Sequence, residues 1–176
     1  EILFTRLPAE VTGITFNNSI IQTNARNVFN YEYVFNGGGV ALGDFNNDSL
    51  VDVYFTGNQV ENKLYLNEKV AKGQPLHFKE VTEISKATGE GKWCAGATAV
   101  DINNDNLLDI YVSATVSTKS EFLANMMYVN QGLNSEGIPI FKDMSAEYGI
   151  ADTTHTTNAA FFDYDKDGDI AADILN

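Results

Sequence analysis

The chain has 176 residues, 44% apolar and 11% aromatic, which suits one folded domain with a sizeable core and excludes a disordered or collagen-like chain. Twenty-four acidic residues stand against 11 basic ones, a net charge of -13, which disfavours nucleic acid and anionic lipid as partners because their phosphates would be repelled. No apolar run of about 18 residues is present to span a membrane. The single cysteine, Cys94, cannot form an internal disulfide, and because Glu1 opens the chain with neither methionine nor a basic-then-apolar leader, the expectation is that something preceded it.

In chain order, residues 1–16 come first. Their stretch Phe4–Phe16, FTRLPAEVTGITF, repeats two later blocks, FKEVTEIS (Phe78–Ser85) and FKDMSAEYGI (Phe141–Ile150), and is expected to form the outer strand of a preceding or closing repeat. Residues 17–38 are Asn-rich, break the period and run into Gly37-Gly38-Gly39. They read as a long loop, either a plain connector or a carrier of function on a rigid scaffold.

Three segments then align without gaps: GVALGDFNNDSLVDVYF (Gly39–Phe55), GATAVDINNDNLLDIYV (Gly96–Val112) and NAAFFDYDKDGDIAADI (Asn158–Ile174). Their leading aspartates, Asp44, Asp101 and Asp163, lie 57 and 62 residues apart. Another block, NKLYLNE (Asn62–Glu68), recurs as NMMYVNQ (Asn125–Gln131). Val40–Phe45, Val51–Phe55, Leu64–Leu66 and Phe78–Val81 are short, rich in β-branched or aromatic residues and bounded by Gly, Asn and Asp, which predicts strands. No sustained 3.6-residue period predicts a long helix, though a helical turn fits Ala146–Tyr148. Four short strands per repeat of about 60 residues predict an all-β fold, a partial β-propeller with about three blades' worth of a larger ring. The expected division is a blade over 39–85, a second over 96–150 and the start of a third over 158–176. Alternation places Val40, Leu42, Val53 and Phe55 in layers between blades. A chain short of a closed ring is expected to be a fragment, or to complete a ring with further copies, and its open blade edges invite self-association.

The candidate chemistry lies in the loops after the first strand of each blade. Counting from the leading aspartate, the first loop carries Asp44, Asn46, Asp48 and Asp52 at positions 1, 3, 5 and 9, with the backbone carbonyl of Leu50 at position 7. The second carries Asp101, Asn103, Asp105 and Asp109, with Leu107 at position 7. Alternate oxygen side chains in a tight loop converge on one point, and an all-oxygen set suits Ca²⁺, which takes 6–8 oxygen ligands, better than Zn²⁺. These are not EF-hands, since position 12 is Phe55 or Val112 and the flanks are strands. Position 6 needs a turn residue, which Gly168 suits, Asn106 tolerates and Ser49 fits least well. The third loop has Asp163, Asp165, Asp167 and Asp169, but position 9 is Ala171, with Asp173 two residues on. A weaker or incomplete third site is expected. The metal's expected role is structural, pinning the turn between two strands.

These blocks resemble the FG-GAP/VCBS-repeat family, and GVALGDFNNDSLVDVYF with NKLYLNE, and NAAFFDYDKDGD with FKDMSAEYGI, look particularly like bacterial VCBS-repeat proteins that carry an ASPIC/UnbV domain, related to cartilage acidic protein. Integrin α-subunit propellers carry similar calcium loops. The resemblance implies a propeller of about seven blades with calcium at the loops opened by Asp44, Asp101 and Asp163, in a secreted, surface-anchored or periplasmic protein acting in adhesion or recognition of a protein or glycan. The rival is the propeller part of a carbohydrate-active enzyme, a polysaccharide lyase or hydrolase. The sequence offers little for catalysis: two histidines, His77 and His155, and neither a G-x-S-x-G elbow nor a phosphate loop. Trp93 and Cys94 read as packing at the entry to the second blade, although an exposed Trp93 would suggest a stacking platform.

Overall fold

The computed structural model describes residues 5–24, 26–117 and 119–176. Among the described residues, ten strands form three antiparallel sheets in chain order. The first contains β1 (Val40–Gly43), β2 (Asp52–Phe55), β3 (Lys63–Glu68) and β4 (His77–Glu80). The second contains β5 (Trp93–Val100), β6 (Asp109–Thr115), β7 (Met126–Leu133) and β8 (Pro139–Asp143), and the third pairs β9 (Asn158–Phe162) with β10 (Ala171–Leu175). The architecture is all-β, two four-stranded sheets of propeller-blade type followed by a two-stranded sheet.

Each blade hides its faces against its neighbours. The first sheet contributes Ala41, Tyr54, Leu64 and Leu66, and the second Ile110, Val112, Met126 and Tyr128, to one buried cluster. On the other side of the second sheet, Tyr111, Met127 and Val129 join Ala159, Phe161 and Ile174 of the third. All seven residues of β6 are therefore buried, since this strand has a blade on both sides. Each of these large side chains contributes about 1.5–3 kcal/mol by leaving water.

The period-2 alternation expected for β1 and β2 is present, but with the opposite face turned to the second blade. Ala41 and Tyr54 enter the shared layer, whereas Val40 and Leu42 are 51% and 61% exposed and Val53 and Phe55 are only half-buried. Both faces of β2 are apolar, so the pattern alone does not say which neighbour each meets. Part of the outer face is covered by the N-terminal segment. Phe16 stacks on Phe55 with ring centroids 5.0 Å apart, and Phe55 meets Tyr65 edge-on at 5.9 Å.

The outer strand expected over 1–16 does not form across the described residues 5–16; residues 1–4 lie outside them. A helical turn, α1 (Ala9–Thr12), closes there on Gly13. The first blade shows why the motif misleads: FKEVTEIS is the strand β4 followed by a turn of helix, α2 (Thr82–Ser85). The same block thus carries a helical half in both places. The turn considered at Ala146–Tyr148 is present as hydrogen-bonded turns from Ser145 to Gly149 rather than a helix.

The inner strands approach one another closely. Gly96 sits where the register of β5 shifts between Cys94 and Ala97, and a side-chain carbon there would stand 2.7 Å from the Thr157 carbonyl oxygen. Gly39 meets the backbone of residues 95–97 at 2.8 Å in the same way. Gly96→Ala is expected to cost about 1–3 kcal/mol by forcing β5 away from the chain before β9. Urea unfolding checks this, and an unchanged midpoint would contradict the close approach.

Candidate functional site

The first and second loops carry the same internal network. The Asp44 carboxylate accepts the backbone N–H groups of Asp48 (3.0 Å) and Ser49 (2.7 Å), Asn46 Oδ1 also accepts from Asp48 N (3.3 Å), and Asp48 Oδ1 accepts from Leu50 N (2.8 Å). In the second loop Asp101 accepts from Asp105 N (3.0 Å) and Asn106 N (2.8 Å), Asn103 Oδ1 from Asp105 N (3.2 Å), and Asp105 Oδ1 from Leu107 N (2.8 Å). Side chains at positions 1 and 3 thus share one N–H donor, so their oxygens converge. Among the described residues, no turn or side-chain hydrogen bond ends on the carbonyl of Leu50 or Leu107.

Position 6 takes positive φ in all three loops, 69° at Ser49, 67° at Asn106 and 96° at Gly168. Position 4 does the same at Asn47 (57°), Asn104 (57°) and Lys166 (63°), which the sequence reading did not anticipate. Left-handed backbone costs a non-glycine residue about 1–2 kcal/mol, offset here by the N–H groups it delivers to the position-1 carboxylates. The paired Asn-Asn dipeptides at 46–47 and 103–104 were the available signal, since Asn tolerates this region best.

Asp52 and Asp109, at position 9, are fully buried. Each joins three pieces of chain. Asp52 accepts Phe45 N on one oxygen (2.9 Å) and Asn67 N of β3 on the other (2.8 Å). Asp109 accepts Ile102 N (2.9 Å) and Asn130 N of β7 (2.7 Å). Each oxygen keeps a second lone pair for a cation. Burial pushes both carboxyls up to about 6, against the opposing pull of the two N–H bonds, with the neighbouring loop aspartates adding a smaller upward push.

In the third loop, carboxylate oxygens of Asp163, Asp165 and Asp167 lie within 4.8 Å of one another. Asp163 accepts Lys166 N (2.7 Å) and Gly168 N (3.1 Å). Asp169 donates its N–H to Asp167 (2.9 Å) and is exposed. Ala171 pairs with Phe162, the register that Asp52 holds with Gly43 and Asp109 with Val100. Ala171 therefore occupies position 9 itself, and Asp173 follows two residues along a regular ladder, exposed.

The loops are also clasped to one another. Asn47 donates its side-chain N–H to the Asn106 carbonyl (3.1 Å), and Asn104 donates to the Gly168 carbonyl (3.2 Å). Position 4 of each loop thus holds position 6 of the next, and Asn130 of the second blade reaches back to the Phe45 carbonyl (2.9 Å).

The opposite ends of the blades frame a groove of about 1380 Å³ between residues 21–34, the β2–β3 connection, the start of β5 and the β6–β7 connection. The 17–38 segment forms its wall and is tied down twice. Asn18 and Asn58 exchange two bonds (2.7 and 3.0 Å), and the Gln59 amide spans the Ile21 N–H and carbonyl (2.8 and 3.1 Å). Trp93 is 6% exposed, so it packs, with Tyr31 edge-on at 6.3 Å and the Arg26 guanidinium 5.7 Å above its ring. His155 lines the groove with Nδ1 3.2 Å from both Thr115 Oγ1 and Val116 N. His77 lies elsewhere, on β4, 2.7 Å from exposed Glu68.

No curated protein matches the chain. Residues 30–112 match the family model described as FG-GAP-like repeat. The matched stretch takes in the whole first blade and both loops with an aspartate at position 9.

Proposed function

We propose that this chain is a calcium-binding, noncatalytic propeller module for adhesion or recognition of a protein or glycan, working outside the cytoplasm as a secreted, surface or periplasmic protein. Calcium staples the blades at two well-formed loops. Asp44, Asn46, Asp48, the Leu50 carbonyl and Asp52 hold one ion; Asp101, Asn103, Asp105, the Leu107 carbonyl and Asp109 hold the other. The third loop, without a position-9 carboxylate, binds more weakly through Asp163, Asp165, Asp167 and the Asp169 carbonyl. The repeat blocks support a place near the VCBS proteins that carry an ASPIC/UnbV domain.

The observation that carries this reading is the identical oxygen network at the same register in two blades, with three carboxylates crowded within 4.8 Å in a third. Like charges so close repel unless a cation sits among them, and an oxygen-only donor set in a flexible loop is what Ca²⁺ takes. The groove favours recognition over hydrolysis. Among the described residues its lining holds one carboxylate, Glu61, where glycoside hydrolysis ordinarily takes two.

Calorimetric calcium titration of chelated protein, with thermal midpoints of wild type, Asp44→Ala and Asp101→Ala, tests the reading. Two strong sites are expected, each variant losing one, with a midpoint that climbs with calcium. Absence of binding at millimolar calcium would reduce the loops to plain turns.

A further inference from the structure

The groove opposite the metal loops has a charge at odds with the molecule. The chain carries 24 acidic and 11 basic residues, yet among the described residues the groove gathers three of the cations, Arg26, Lys92 and Lys119, with one acid, Glu61. Lys92 is fixed at the floor, its ammonium donating to the Ala124 carbonyl (2.9 Å) and 3.8 Å from exposed Glu90. Arg26 and Lys119 are exposed, and among the described residues neither has a carboxylate within 4.0 Å. Both sit over aromatic rings, Arg26 over Trp93 at 5.7 Å and Lys119 over Phe122 at 5.9 Å. A cleft lined by one sign of charge concentrates ligands of the other.

The rim is built rather than loose. The reciprocal Asn18–Asn58 and Ile21–Gln59 bonds hold one wall. On the other, Val116 adopts φ 53°, an outlier for a β-branched residue, with its N–H donating to His155 Nδ1 at 3.2 Å. That acceptor role puts the proton of the neutral ring on Nε2, a second donor for an anion. Backbone strain of this kind persists only where its surroundings hold it, and it collects at ligand sites.

We infer that this groove binds an acidic oligosaccharide, with Arg26 and Lys119 receiving its carboxylates and the ring of Phe122 packing on a sugar face. The inference rests on the recognition-module reading and names its ligand class. About 1380 Å³ exceeds the roughly 300–1,000 Å³ of an ordinary small-molecule pocket, so a ligand of several units fits. Carboxylates accept paired guanidinium and ammonium donors, while aromatic rings take the apolar faces of sugars. Among the described residues, Trp93 is the only lining residue that belongs to a strand, which disfavours a peptide added to a sheet edge.

The test is calorimetric titration of the chain, held in saturating calcium, with hexagalacturonate, cellohexaose and hexaglutamate, alongside Arg26→Gln/Lys119→Gln, Lys119→Gln alone and the remote exposed control Lys79→Gln. Hexagalacturonate is expected to bind and to weaken with salt, falling at least tenfold in the double variant and several-fold in Lys119→Gln, while Lys79→Gln matches wild type and cellohexaose stays unbound. Thermal midpoints confirm that each variant folds. No binding of hexagalacturonate, undiminished binding in the double variant or equal binding of cellohexaose would overturn the inference, and tighter binding of hexaglutamate would replace it with an acidic peptide. The calcium reading fails separately, through a midpoint that does not respond to calcium.

Discussion

Asp109→Ala is expected to lower the thermal midpoint in chelator by roughly 10 °C, whereas Asp101→Ala moves it little. Asp109 is fully buried and satisfies two backbone donors, Ile102 N and Asn130 N, from the loop and from β7. Its removal strands both, at about 1–3 kcal/mol each, and leaves a small void. For a chain of this size each kcal/mol is worth about 2–4 °C. Asp101 instead bonds the N–H groups of Asp105 and Asn106, which are exposed and exchange readily to water. With calcium present the order of effects changes, because both variants lose the ion at that loop. Thermal unfolding in chelator separates the two roles, and equal midpoints for the two variants would show that Asp109 does not tie the strands.

The response to acid is expected to change sign with calcium. Asp52 and Asp109 rest at about 6 in the fold, against 3.8 for an ordinary aspartate. The native state then binds more protons than the unfolded chain between about pH 4 and 6, so these two groups make stability fall as pH rises through that window. Chelated protein should therefore gain stability when taken from pH 7 to pH 5, by roughly 1 kcal/mol for each group, the full gain of about 3 kcal/mol being reached only below about pH 4. Calcium favours the ionised carboxylates, so calcium-loaded protein should lose stability over the same interval as protons compete for the ligands. Midpoints in chelator and in calcium at pH 5, 6 and 7 check this. Parallel curves would mean that Asp52 and Asp109 do not face the ion.

Much of the fold was legible in the repeats. Three gapless segments spaced 57 and 62 residues apart carry the strand–loop–strand core of each blade, and the paired strands keep the same register in all three. The element types at the repeat ends were less legible. Phe78–Val81 reads as a strand and supplies most of β4, but FTRLPAEVTGITF reads as an outer strand and instead holds a helical turn at Ala9–Thr12, because a few residues of either conformation carry too little periodicity to separate them. The groove was not legible at all, since its wall comes from the 17–38 segment that breaks the repeat.

The sequence by itself determined the repeat, the all-oxygen character of the loops and the deficiency at Ala171, because each depends only on residue type at a fixed offset along one strand–turn–strand unit. Tertiary structure decided what depends on neighbours. It buried Ala41 and Tyr54 against the second blade and left Val40 and Leu42 outside, a choice that a strand apolar on both faces leaves open. It gave Asp52 and Asp109 donors from a third strand, clasped each loop to the next through Asn47 and Asn104, and brought Arg26, Lys92 and Lys119 from distant segments to one groove. The loop clasps join residues up to 64 positions apart, from Asn104 to Gly168, the groove cations come from segments up to 93 positions apart, and no local pattern of charge or hydrophobicity encodes which distant partner a side chain meets.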